Sequence, residues 1–153
     1  MENNNEKYPV AVGEKITFRA RMTFHDAHYA GELVNGSKML DYFGDVATDL
    51  TIRLHGHEGL YRTYEHIDFL APILAGDFID YVGWITRVGN TSIQFHLEAY
   101  KVMQNLYRKE PGVDPAFVEI LDPPILVGMA DSIGVVPKEF QRGAQDPRFE
   151  IKK

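Results

Sequence analysis

Residues 35–56 of the chain read NGSKMLDYFGDVATDLTIRLHG and predict one long amphipathic helix. Apolar side chains recur at spacings of three and four, so they fall on one side of a helix and form a buried stripe. Asn35 is a candidate N-cap before Gly36 and Ser37, and the segment HGHEG after Leu54 ends the helix. The stripe comprises Met39, Phe43, Ala47, Leu50 and Leu54, with Leu40 beside it.

Outside this helix the pattern changes to a period of two, which is typical of half-buried β-strands. The first predicted strand is KITFRARM, in which apolar and polar side chains alternate; its buried face holds Ile16, Phe18, Ala20 and Met22. After the helix, turn signals separate four more predicted strands, at residues 60–72, 77–88, 91–103 and 125–136. Residues 23–36 and 105–124 are predicted to be loops.

One strand, one long helix and then four strands, without alternation of strands and helices, predict an α+β fold. In this fold an antiparallel β-sheet wraps around one long central α-helix. We expect a single domain over residues 15–136 and a polar N-terminal tail at 1–14. Residues 137–153 are expected to form a polar C-terminal tail that covers a surface or frays.

Composition and charge argue against several classes of function. The net charge is −6 and no basic stripe stands out, so nucleic-acid binding is not expected. No apolar run reaches the roughly 20 residues of a membrane span, and no signal peptide is visible. The lack of cysteine excludes thiolate catalysis and cysteine-based zinc sites and fits a cytoplasmic location. The pairs His25/His28 and His55/His57 lack the context of a metal site, so no metal is expected.

Three aspartates, Asp41, Asp45 and Asp49, lie four residues apart on one side of the predicted helix. The positive charge of Lys38 is placed to offset the negative charge of Asp41, and the positive charge of Arg53 is placed to offset that of Asp49. Asp45 has no such partner, and its like-charged neighbours are expected to raise its pKa.

Small residues surround this aspartate, and Gly44 is one that weakens a helix by about 1 kcal/mol. Gly44, Ala47 and Thr48 predict a shallow groove, and a carboxylate of raised pKa beside a groove suits proton abstraction. The same pattern also fits an Asp45 that faces water, with Gly44 allowing close helix contact between subunits.

The loop HDAHYAGELVNG leads directly into the helix N-terminus, where free backbone N–H groups can polarise a carbonyl oxygen or bind an anion. Gly31 and Gly36 would let a ligand carbonyl approach the main chain. His28 is placed to donate to that carbonyl or to move a proton, although an ordinary surface histidine fits the sequence equally well.

Several segments together resemble the β-aminoacyl-CoA ammonia-lyases of the hot-dog, thioesterase-like superfamily, whose members act in amino-acid degradation such as lysine fermentation. The matching segments are DAHYAGELVNGSKML, FGDVATDL, FLAPILAGDFIDYVGWI, VGNTSIQFHLEAYKV and PPILVG. One departure is that Asp49 stands where the family would be expected to have glutamate. The resemblance implies a hot-dog fold and a homodimer that assembles further into a hexamer. It also implies active sites between subunits, with the acyl thioester against the N-terminus of the helix.

The activity that this resemblance implies is the reversible elimination of ammonia from a 3-aminoacyl-CoA, with acyl-CoA and ammonium as partners. Asp45 would be the general base, and backbone N–H groups near Gly36 and Ser37, with His28, would stabilise the enolate oxygen. Tyr29, Gly31 and Asn35 complete the expected substrate site, and Asp26 or Glu32 would bind the amino group. No cofactor is expected, because the substrate itself carries coenzyme A. The acyl group could be 3-aminobutyryl or β-alanyl.

Coenzyme A is expected at the turn formed by Asn90, Thr91 and Ser92, with Arg87 nearby. Lys101, Arg108 and Lys109 are further candidates for binding the nucleotide phosphates. Three alternatives remain open at this point: an acyl-CoA thioesterase, an enoyl-CoA hydratase, and a non-catalytic acyl-CoA-binding module on the same fold.

Overall fold

A computed structural model of the chain describes residues 12–149 and contains one long helix on one face of an antiparallel sheet. The helix α1 is Gly36–His55, and the strands are β1 (Ile16–Arg21), β2 (Ala27–Tyr29), β3 (Leu33–Val34), β4 (Leu60–Phe69), β5 (Phe78–Val88), β6 (Ser92–Asn105) and β7 (Val118–Val135). The strand order in the sheet is β1-β5-β6-β7-β4, so β1 and β4 form the two edges. A small hairpin of β2 and β3 precedes α1.

The helix α1 begins and ends where the sequence predicts. Asn35 is the N-cap, and Gly56 closes the last turn in the left-handed conformation at φ 68°, which glycine adopts without steric cost. The predicted apolar stripe is buried against β1, β5 and β6, and Leu40 is half-buried beside it. Gly83 of β5 lets the helix approach closely, since a Cβ there would lie 2.6 Å from Val46. The α+β arrangement is therefore confirmed.

The predicted alternation of buried and exposed side chains is present in β6 and is absent from part of β1. In β6 the residues Ile93, Phe95, Leu97 and Ala99 are buried. In β1, however, Phe18 is 47% exposed and lies over the ring of Tyr42. The prediction of a buried Phe18 is wrong because β1 is an edge strand and only part of its inner face is covered by α1.

Both predicted loops contain strands. Residues 23–36 include the β2–β3 hairpin, in which Ala27 pairs with Val34. Strand β7 begins at Val118, well before the predicted start at residue 125, because Val118, Glu119 and Ile120 pair with the end of β6. A shift in register between Lys101 and Met103 lets the proline-containing residues 121–124 bulge without ending the strand.

Residues 137–149, which belong to the predicted C-terminal tail, pack against the end of α1. Backbone N–H groups of Arg142 and Gln145 donate to the last carbonyls of the helix, those of His55 and Arg53. Phe149 is completely buried in the main core. Residues 1–11 and 150–153 lie outside the described residues. None of the helices within residues 12–149 is long and apolar enough to span a membrane.

We expect His55, at the end of α1, to make stability depend on pH. Burial lowers the pKa of His55 below its ordinary value of 6.5, so the unfolded chain binds this proton more tightly than the folded one. Its contribution is therefore complete above pH 6.5 and is lost as the pH falls below that value. The difference in unfolding free energy between wild type and His55→Gln should shrink from pH 7 to pH 5 in urea titrations.

The exposed residue His66 is the matched control, because a hydrogen bond to Asp68 raises its pKa instead. His66→Gln should give a pH dependence of the opposite sign. Equal slopes in the two variants would contradict the prediction.

Candidate active site

A cavity of about 650 Å³ opens at the N-terminus of α1, and we call it the α1 cavity. Three segments form it: the approach to the helix, the first turn of the helix, and the chain that follows β4. Most of its walls are apolar. The lining residues are Tyr29, Leu33, Val34, Asn35, Gly36, Ser37, Met39, Phe69, Leu70, Ala71, Pro72, Ile73 and Val127. It can therefore hold a short aliphatic group with one polar end at the helix terminus.

The polar end of the α1 cavity is the uncapped first turn of the helix. Asn35 is the N-cap residue, but its side chain makes no capping hydrogen bond and instead donates to the hydroxyl of Ser37. The first backbone N–H groups thus lack a side-chain acceptor. Such groups, at the positive end of the helix dipole, favour a carbonyl oxygen that gains negative charge.

Gly36 gives a ligand access to this backbone. The ring of Phe69 lies across the first turn, so close that a Cβ on residue 36 would come within 2.5 Å of it. A ligand that reaches the N–H of Gly36 must therefore pass beside the Phe69 ring, which is largely exposed.

We expect Gly36→Val to weaken the binding of an acyl-CoA by at least about tenfold, because the branched side chain occupies the space between the helix and Phe69. Isothermal titration with butyryl-CoA measures this effect. Adding Phe69→Ala to Gly36→Val should restore part of the affinity, since it vacates that space. If the affinity losses of Gly36→Val and Phe69→Ala simply added in the double variant, the steric explanation would be contradicted.

The far wall of the cavity, after β4, is held by a buried ion pair. Lys101 of β6 lies 2.9 Å from the carboxylate of Asp77 and donates to the backbone carbonyl of Pro72, also at 2.9 Å. Asp77 in turn accepts from the backbone N–H of Leu74 at 2.8 Å. The prediction of Lys101 as a phosphate ligand is therefore wrong. The burial of Lys101 could have been predicted from the sequence, because Lys101 is the next inward-facing position after Ile93, Phe95, Leu97 and Ala99.

Two predicted carboxylates have partners within the chain. Asp26 accepts hydrogen bonds from the backbone and hydroxyl of Thr23 and pairs with Lys38 at 3.2 Å. Partial burial of Asp26 acts to raise its pKa, but these contacts outweigh it and lower the pKa. Lys38 thus forms its direct ion pair with Asp26, and the charge of Asp41, as predicted, is a smaller favourable influence on it.

Glu32 accepts from Arg108 at 2.7 Å and from Tyr107 at 3.2 Å. Neither Asp26 nor Glu32 lines the α1 cavity. Both carboxylates have a cationic partner within residues 12–149, and the prediction that one of them binds the amino group of a substrate stays a prediction.

Asp45 is exposed and does not line the α1 cavity of its own chain. Within residues 12–149 its carboxylate makes no ion pair or hydrogen bond, whereas Asp49 pairs with Arg53 as predicted. It follows Gly36 by nine residues, which is about 13.5 Å along the helix axis. One chain alone therefore does not bring this carboxylate to the helix N-terminus.

The surroundings of Asp45 differ from the predicted groove. Ala47 is buried, and the crevice that it lines with Thr48 measures only about 30 Å³ and does not include Gly44. The predicted groove is thus wrong. Gly44 itself is open, with the ring of Tyr61 on the edge strand β4 as the nearest neighbour at 4.0 Å. Asp45 accordingly sits beside an uncovered stretch of helix next to an edge strand.

His28 and Gly31 are exposed and lie outside the lining of the α1 cavity, although His28 contacts the cavity residue Tyr29 with its ring. Of the predicted substrate residues, the structure brings together Tyr29, Asn35, Gly36 and Ser37. Within the described part of the chain, no three histidine or acidic residues are grouped to hold a metal ion.

The predicted coenzyme turn lies far from the α1 cavity of the same chain. Asn90, Thr91 and Ser92 form the hairpin between β5 and β6, where Asn90 accepts from Lys138 at 3.0 Å, and Arg87 is exposed nearby. About 24 Å of extended strand separates Ser92 from Ala99, and Ala99 pairs with Gly128, the residue after the cavity residue Val127. Of the other phosphate candidates, Arg108 is paired with Glu32 and Lys109 with Glu119, and their role in binding phosphate stays a prediction.

One long helix packed on an antiparallel five-stranded sheet defines the class of hot-dog proteins. The sequence model of the Thioesterase superfamily matches residues 31–106. The structure is similar to that of a hexameric hotdog-fold thioesterase of Campylobacter jejuni, with a TM-score of 0.63 and 16% identity over 83% of this chain and 86% of the other. The predicted hot-dog fold is confirmed.

Closer relatives define the family within that class. The chain is 44% identical over 128 residues to 3-aminobutyryl-CoA ammonia lyase of Acetoanaerobium sticklandii, covering 84% of this chain and 98% of the relative. The solved structure of β-alanyl-CoA:ammonia lyase from Clostridium propionicum matches with a TM-score of 0.85 and 37% identity, over 91% of this chain and 96% of the other. The chain belongs to the β-aminoacyl-CoA ammonia-lyases of the thioesterase superfamily, as its motifs predicted.

Proposed function

We propose that this protein catalyses the reversible elimination of ammonia from a 3-aminoacyl-CoA, converting 3-aminobutyryl-CoA to crotonyl-CoA and ammonia. The observation that carries this proposal is the 44% identity to an enzyme named for that substrate, over 98% of its length. The α1 cavity supports it, because a short acyl chain fits apolar walls that end at an uncapped helix N-terminus.

The chemistry needs an acceptor for the α-proton and donors for the enolate oxygen. The thioester carbonyl would lie against the first N–H groups of α1, near Gly36 and Ser37. As the base removes the α-proton, negative charge develops on this oxygen, and one such donor contributes about 2.7–4 kcal/mol. The C–N bond then breaks as the double bond forms, and the proton goes to the departing amine. The thioester is the electron sink, so the proposal uses no cofactor beyond the coenzyme A of the substrate.

Asp45 is the base in this proposal, and it would come from a second copy of the chain. Its own helix N-terminus is about 13.5 Å away along the axis, too far for proton transfer to the same thioester. The edge strand β4 and the open helix surface at Gly44 leave this part of the chain free to receive a partner. We propose a homodimer with shared active sites, assembled further into a hexamer.

Asp45 would also face the amino group of the substrate. Asp26 and Glu32 already have cationic partners within the chain, and among residues 12–149 no carboxylate lines the α1 cavity. One carboxylate can serve in both proton transfers, because it first accepts the α-proton and then passes it to the amine. The coenzyme turn at Asn90–Ser92 would likewise reach an active site of another subunit, because it lies far from the cavity of its own chain.

Incubation of the enzyme with crotonyl-CoA and ammonium tests the reaction. We expect loss of the enoyl absorbance that depends on ammonium, with no release of free thiol. Thiol release would indicate a thioesterase, and loss of absorbance without ammonium would indicate a hydratase. Binding of crotonyl-CoA without turnover would indicate a binding module. Parallel reactions with acryloyl-CoA show whether the β-alanyl substrate is preferred.

A further inference from the structure

We propose that Met39 sets the limit on the length of the acyl chain that the α1 cavity accepts. The inference rests on the proposed function in placing the acyl group of a CoA ester in this cavity. It goes further by naming the residue that stops the chain. The limit restricts the substrates to short 3-aminoacyl groups, of about four carbons.

Met39 lies on the same side of α1 as the polar end of the cavity. It follows Gly36 by three residues and Asn35 by four, spacings that place side chains on one helix face. Three residues of helix rise about 4.5 Å. An extended four-carbon acyl group has a comparable reach of about 3.8 Å, because its three carbon–carbon bonds of about 1.5 Å meet at tetrahedral angles. A carbonyl at the first turn would thus place the end of a four-carbon chain against the Met39 side chain.

Met39 and Val127 form the floor of the cavity, since both belong to the lining and each is only 1% exposed; of the two, Met39 has the longer side chain. Its thioether rests directly on the backbone of β7 at Gly128, where a Cβ would overlap the sulfur. Gly128 pairs with Phe69 of β4 and with Ala99 of β6, so this backbone is fixed on both sides by the sheet. The methionine therefore cannot retreat into the sheet when a longer chain enters.

The affinities of Met39→Ala for butyryl-CoA and hexanoyl-CoA test the inference. The substitution removes Cγ, Sδ and Cε, which opens room for about two methylene groups. We expect the ratio of hexanoyl-CoA to butyryl-CoA affinity, measured by isothermal titration, to rise about tenfold or more over wild type. Because the ratio is taken within one preparation, a fraction of unfolded protein does not alter it.

Met22→Ala is the matched control. Met22 is equally buried, but it contacts Tyr81 of the core and does not line the cavity. This variant should keep the wild-type ratio, as should Met39→Leu, which preserves the volume. Met39→Val, a smaller truncation, should shift the ratio in the same direction if Met39→Ala fails to fold. An unchanged ratio in the Met39 truncations, or an equal change in Met22→Ala, overturns the inference.

The binding measurement also separates this inference from the proposed function. Suppose that wild type shows the chain-length limit, that Met39→Ala relaxes it, and that wild type adds no ammonia to crotonyl-CoA. The role of Met39 would then stand, and the proposed reaction would be wrong. Ammonia addition without a shift in the Met39 truncations would do the reverse. A wild-type protein that binds neither ester would overturn both.

Discussion

Asp45→Asn is expected to lower kcat for ammonia addition to crotonyl-CoA by about 10²–10⁴-fold, the range that general acid–base catalysis contributes. Asparagine keeps the size of the side chain but neither accepts nor returns a proton. The affinity for butyryl-CoA should change little, because this ester lacks the amino group that Asp45 would face and asparagine has nearly the same size as aspartate. Stopped-flow or steady-state measurement of the enoyl absorbance gives kcat, and titration gives the affinity.

The control for this variant is Asp41→Asn, which removes an equally exposed carboxylate one helical turn away. It should retain activity. If Asp45→Asn were as active as wild type, Asp45 would not be the base, and the proposed mechanism would lose its central group.

Mixing a variant that lacks the base with one that binds substrate weakly shows whether the site is shared between subunits, when activity is assayed at a substrate concentration well below the Kd of Gly36→Val. Asp45→Asn and Gly36→Val, unfolded and refolded together, form heterodimers that contain one site with both groups intact. Random pairing then restores about a quarter of the wild-type activity. No recovery above the separate variants would place both groups of each site on a single chain.

Lys101→Met is expected to lower the free energy of unfolding by about 3–5 kcal/mol, as for other buried ion pairs that lose one partner. Lys101 and Asp77 are both buried, and one oxygen of Asp77 already lacks a hydrogen bond among the described residues. Removing the ammonium group leaves a carboxylate in the interior without its cation. It also frees the carbonyl of Pro72, so the wall of the α1 cavity should loosen and butyryl-CoA should bind less tightly.

Urea titration at fixed protein concentration measures this loss, and Lys109→Met is the matched control. Lys109 pairs with Glu119 on the surface, where such pairs contribute less than about 1 kcal/mol. Adding Asp77→Asn to Lys101→Met should recover part of the stability, because no buried charge then remains unpaired. Similar losses for Lys101→Met and Lys109→Met would show that the buried pair has no special role.

The fold alone does not separate an ammonia-lyase from a thioesterase, since distant relatives with thioesterase activity share the same helix and sheet. Both reactions place a thioester carbonyl against backbone donors. They differ in whether the carboxylate meets an α-proton or a water molecule. The identity of 44% to an ammonia-lyase therefore carries the functional proposal, and the apolar lining of the α1 cavity supports it.

The parts of the fold that local periodicity encodes could be predicted from the sequence. The spacing of Met39, Phe43 and Leu54 identified α1, and the alternation in β6 identified its buried face. The predictions failed where contacts with residues distant in the sequence determine burial or strand pairing. Phe18 alternates like a buried residue but sits on an edge strand, and residues 118–124 resemble a loop but join the sheet through pairing with β6.

By itself, the sequence determined the central helix, the strands around it and the family, because short-range spacing and contiguous motifs carry that information. Only the tertiary structure decided which charges are free. Asp26, Glu32 and Lys101 have ion-pair partners between 12 and 76 residues away, whereas Asp45 has none within residues 12–149. The strength of an ion pair depends on distance and burial in space, and neither can be read from position along the chain.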